Sequence, residues 1–160
     1  MSTQLFTLVH VVLSLAAIGA GLIAILGLAS NKLSSGLTAF FLATTALTSI
    51  TGFLFPFHGM TPGIILGIIS MVVLLLAVVA LYGQKLAGAW RGTYVISATL
   101  ALYFNVFVLF AQLFAKVPAL KAIAPSQSSP AFGITQLVVM AAFVVIAIRS
   151  FKGFRRSLHA

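Results

Sequence analysis

The sequence predicts an all-α integral membrane protein: five transmembrane helices in a compact bundle, with the amino terminus outside and the carboxyl terminus cytoplasmic. Three observations carry that expectation. Of 160 residues, 62% are hydrophobic and 6% charged, whereas a soluble domain carries about 25% charged residues. A globular core of this length cannot bury so much apolar surface, so a bilayer is the solvent that suits it. The apolar residues fall into five runs of membrane-spanning length, and the Lys and Arg residues sit at the ends of those runs.

The runs cover residues 4–30, 36–55, 61–83, 92–114 and 132–151. A helix of about 20 residues, rising ~1.5 Å per residue, crosses a hydrocarbon core of ~30 Å. Backbone polar groups must be paired within lipid, which favours helices, and the short alternating segments of a barrel are not seen. The connections at 31–35, 56–60 and 84–91 are short. The longer one, 115–131, holds Pro118, Pro125 and Pro130, a spacing that breaks a continuous helix. It is expected to be a surface loop with a short interfacial helix near 117–123. The first run follows Met1-Ser2-Thr3-Gln4, which carries no basic residue. It is also longer than the apolar region of a signal peptide, so it is read as a span. With no repeat or low-complexity segment, residues 1–160 are read as a single transmembrane domain.

Charge gives the direction. Lys32, Lys85, Arg91, Arg149, Lys152, Arg155 and Arg156 fall on one side of a five-helix topology, and only Lys116 and Lys121 on the other. The positive-inside bias makes the first side cytoplasmic and implies a multi-pass protein of the cell (inner) membrane. Arg149, Lys152, Arg155 and Arg156 alternate with Phe151 and Phe154, a pattern expected to rest on anionic lipids at ~1 kcal/mol per basic residue. The net charge of +9 does not form the contiguous basic face that nucleic acid requires.

The chain has no Asp, Glu or Cys. That excludes paired-carboxylate hydrolysis, a Ser-His-Asp triad, carboxylate-bound Mg or Ca, an Asp or Glu proton relay, thiol catalysis and Cys-ligated metals. His10, His58, His159, the basic residues, Tyr and neutral polar groups remain. A self-contained enzyme is not expected, because only imidazole and lysine could serve as bases.

Helix association in lipid relies on close backbone approach and interhelical hydrogen bonds. Small or polar residues recur at helical spacing in every run: His10, Ser14, Ala17 and Gly21; Thr44, Thr48, Thr51 and Gly52; Gly63, Gly67, Ser70 and Ala77; Ser97, Ala101, Asn105 and Gln112; Gly133, Gln136 and Met140. These stripes are read first as packing faces.

By depth, His10, Thr48, Thr51, Gln112 and Gln136 fall in the outer half of the membrane, Asn105 near its centre, and His58 just above. Unpaired amides and imidazoles in lipid cost several kcal/mol, so they should cluster or face a cavity. An outward polar pocket of these residues is the expected ligand site. The function this implies is a small non-enzymatic membrane protein: an accessory subunit with other membrane subunits as partners, or a lipophilic-ligand-binding bundle. The alternative is a redox protein using His10 and His58, holding haem b between two imidazoles, a quinone, or Cu(I) on His58 and Met60.

Overall fold

The computed structural model describes residues 3–56 and 59–155, excluding the side chain of Arg155. His58, Arg156 and His159 therefore lie outside the described residues. Among the described residues 84% are helical, and five helices are long and apolar enough to cross a membrane. They are α1 (Thr3–Ala29), α2 (Ser35–Phe53), α3 (Pro62–Val78), α4 (Trp90–Lys116) and α6 (Pro130–Arg155). The short α5 (Pro118–Ile123) lies in the long connection, as expected there.

Local chemistry sets the boundaries. Thr61 caps α3 by accepting a 3.3 Å hydrogen bond from the Ile64 amide, with Pro62 at the first helical position. Pro118 and Pro130 likewise open α5 and α6, where a missing N–H removes no helical bond. The third span continues beyond α3 as a π-helical turn, Val79–Gly83. The chain then reverses through Lys85 and Leu86, both at positive φ.

Around the bundle the order is α1, α2, α3, α4, α6, with α1 and α4 also meeting across the middle. Leu8, Val12, Ile23, Val72, Leu75, Leu137 and Val138 point outward and are exposed, the surface expected to face acyl chains. The interior packs tightest in its middle and at the basic end. Phe41, Ile25, Leu28, Tyr94 and Leu102 are fully buried. A Cβ on Gly21 would stand 2.7 Å from both Leu102 and Phe41, so α1 meets α2 and α4 closely enough that any larger residue there would displace those side chains.

At the basic end α6 is fastened to α1 and α4. Ser150 donates a 2.8 Å buried hydrogen bond to the Ile25 carbonyl, and any Cβ on Gly153 would collide with the Ala29 backbone. Phe151 packs on Gly92, and the Arg91 guanidinium stands 5.2 Å over the Phe154 ring. The alternation read as a membrane-surface segment is thus the end of a helix. Its aromatics turn into the bundle while Arg149 and Lys152 remain exposed.

Candidate functional site

Residues of α1 to α4 at the end of the bundle opposite the basic loops line a cavity of about 700 Å³. That volume is typical of a small-molecule site, ~300–1,000 Å³. Its rim is set by Thr7 near the start of α1, Pro56 after α2, Thr61 before α3 and Lys116 at the end of α4. Apolar walls follow: Phe53 and Phe55 from α2 and its end, Ile64 and Leu66 from α3, Phe104 and Leu109 from α4.

The deepest level is polar on every helix. Ser14, Thr48, Ser70 and Asn105 are the polar residues lying furthest in on α1, α2, α3 and α4. Ser70 is eight residues past the start of α3, about 12 Å of helix rise. Asn105 reaches the Thr45 hydroxyl at 3.4 Å, and Ser14 donates to the His10 carbonyl at 2.8 Å. Thr48 and Ser70 differ: 8% and 4% exposed, their hydroxyls have no hydrogen-bond partner among the described residues.

That contrast is informative. A hydroxyl in an apolar helix ordinarily bonds the carbonyl one turn back, and Thr44, Thr51, Ser97, Thr99 and Thr135 all do so here. Thr48 and Ser70 leave that partner unused, as Thr38 does away from the cavity, and both residues border the cavity. An unpaired buried hydroxyl costs about 1–3 kcal/mol, which a bound acceptor or water removes.

His10 stands midway up the cavity wall. Its Nδ1 is 2.8 Å from the Thr51 hydroxyl. Thr51 gives its own proton to the Leu47 carbonyl at 2.7 Å, so the Thr51 oxygen accepts and His10 Nδ1 carries the hydrogen. This tautomer is inferred from the network. Nε2 is then left without a bond among the described residues, as an acceptor. The ring lies edge-on to Phe55, centroids 5.2 Å apart, and a Cβ on Gly52 would stand 3.5 Å from its Cε1.

Compared with protein-family models, curated proteins and solved structures, the chain matches none. The geometry alone therefore speaks for the site.

Of the residues expected to form the outer pocket, His10, Thr48, Asn105 and Gln112 line this cavity. Thr51 holds His10 from behind. Gln136 is elsewhere: it lies between α6 and α4, where its Nε2 donates to the Phe107 carbonyl at 3.1 Å, beside Phe107 and Phe132. Helix α4 separates it from the cavity. Met60 is 66% exposed and does not line it. His10 is the one imidazole among the described residues, and those residues contain no group of three or more His, Cys, Asp or Glu. Ser70, Ser14 and Lys116 were missing from the expected set. Ser70 and Ser14 were visible in the sequence as stripe members, but a serine in a stripe does not announce whether it packs or lines a void.

Proposed function

We propose that the protein is a non-enzymatic bundle of the cell membrane that holds a lipophilic ligand in the outer half of the bilayer. The observation that carries this reading is the 700 Å³ cavity at the end of the bundle away from the basic loops, with two unpaired buried hydroxyls in its wall. Its walls suit an acyl, isoprenoid or aromatic body, and its polar groups can orient one end of that body. The basic side of the bundle, with Lys32, Lys85, Arg91, Arg149 and Lys152, faces the cytoplasm and its anionic lipids in this reading. The carboxyl terminus follows it there, leaving the amino terminus and cavity mouth outside.

A binding role fits the chemistry better than turnover. Among the described residues the cavity offers one imidazole, one lysine and neutral amides and hydroxyls, with no carboxylate anywhere in the chain. A transmembrane path is also not favoured, since the packed layer of Gly21, Phe41 and Leu102 lies below the cavity floor.

The test is organic extraction of the protein purified in mild detergent, followed by mass spectrometry. One lipophile enriched in near-stoichiometric amount over the surrounding lipid is expected. An extract with the same composition as bulk membrane would contradict the reading.

A further inference from the structure

We propose that the ligand enters head first, and that its head is an uncharged carbonyl, as in a quinone, received by Thr48 and Ser70 at the cavity floor. This rests on the lipophile-binding reading above and specifies which class of lipophile the cavity takes.

The floor determines the polarity of the head. Thr48 and Ser70 each hold a hydroxyl proton that no described group accepts, so an acceptor atom on the ligand would give each proton a partner. Asn105 adds an amide whose described bond, to Thr45, is long at 3.4 Å and yields readily to a better acceptor. Ser14 is not available in this way, because its proton goes to the His10 carbonyl.

Charge then limits which acceptor fits. Among the described residues Lys116 is the one lysine or arginine in the cavity wall, and it is an exposed residue at the rim. It stands eleven residues from Asn105 on α4, about 16 Å of helix rise. A carboxylate or phosphate at the floor would thus be desolvated with no counter-charge, at a cost of several kcal/mol. A cationic head fares no better, as no carboxylate exists to receive it. The neutral carbonyl oxygen satisfies both hydroxyls and carries no charge into the bilayer interior.

The middle of the cavity suits what lies behind such a head. Phe53, Phe55 and Phe104 offer aromatic faces and edges, which favour a flat ring. On the same wall His10 presents an edge, with Nε2 unbonded, and Gln112 lies nearer the rim. A second carbonyl on the far edge of a ring would meet the Gln112 amide or a bridging water. The apolar tail leaves toward the rim.

Binding of three probes to the full chain in nanodiscs discriminates the possibilities: a decyl-substituted benzoquinone, decylbenzene and dodecanoate. The quinone is expected to bind at least about tenfold more tightly than decylbenzene, the equivalent of one to two hydrogen bonds. Thr48→Val with Ser70→Ala should remove that advantage and leave decylbenzene unaffected. Thr48→Ser alone, which keeps the hydroxyl, should bind the quinone as the parent does, and thermal melts show whether each variant is folded. Equal binding of quinone and decylbenzene, unchanged in the hydroxyl-less variant, would overturn the carbonyl assignment yet leave a lipophile-binding cavity. A preference for dodecanoate that is lost in Lys116→Gln would overturn it in favour of an anion at the rim. No binding of any probe would overturn both this inference and the reading on which it rests.

Discussion

His10 of α1 and Thr51 of α2 are joined by a 2.8 Å hydrogen bond between the imidazole Nδ1 and the threonine hydroxyl, and the Thr51 bond to the Leu47 carbonyl assigns Nδ1 as the donor. The bond ties two adjacent spans beside the cavity and fixes which ring nitrogen faces away from α2.

Removing either partner should loosen the bundle. His10→Ala and Thr51→Val are each expected to lower stability by about 1 kcal/mol, the usual net worth of one such bond. In a double-mutant cycle the losses should be less than additive, because both remove the same interaction. Thermal or denaturant unfolding in detergent measures this. Unchanged stability in both variants would show that the bond contributes nothing to the fold.

Glycine positions divide sharply. Gly153→Ala must push α6 away from the Ala29 backbone, and overpacking of this kind typically costs about 1–3 kcal/mol. A Cβ on Gly133 meets nothing within 4 Å, so Gly133→Ala should be neutral or slightly stabilising through helix propensity. Melting temperatures of the two variants test the α1–α6 packing directly. Equal melting temperatures would contradict the close approach.

The absence of native cysteine makes the proposed orientation easy to check. Ser126→Cys lies in the loop between α5 and α6, at the cavity end, and Ser34→Cys lies between α1 and α2 at the basic end. In intact cells a membrane-impermeant maleimide should label Ser126→Cys. Ser34→Cys should react only after permeabilisation. The reverse pattern would place the cavity on the cytoplasmic side.

The position of each residue along its helix was legible in the sequence, while its direction around the helix was only partly so. The five spans came from run length and hydropathy, and their ends shifted by a few residues where Pro62, Pro118 and Pro130 start helices. The stripes on α1 to α4 do face inward, at Ala17, Gly21, Thr44, Ser70, Ala77, Ser97 and Ala101. On α6 Gln136 of the expected stripe faces inward, while Gly133 and Met140 are exposed. Its inward face is Phe132, Gln136, Phe143, Ser150 and Phe154, a heptad-like spacing dominated by aromatics. A search weighted to small residues passes over it, because this interface fills space with rings and needs close approach only near Gly153.

The cavity itself was half legible. Polar residues at one depth pointed to a cluster, and four of those in the described residues line one cavity. Gln136 has the right depth but the wrong neighbours, because α6 packs on α1 and α4 and not on α2 or α3. No sequence pattern distinguishes Thr48, whose proton is unclaimed, from Thr51, whose proton bonds its own helix. That difference arises from side-chain rotation within the packed bundle.

Native mass spectrometry of the parent chain and Gly52→Leu, prepared in the same mild detergent, tests the central claim most directly. Gly52 lines the cavity beside His10, so a leucine there fills the ligand's space. The parent should carry one lipophile-sized adduct, and the folded variant should have lost it. The same adduct at the same occupancy in both proteins would contradict the claim that this cavity holds the ligand.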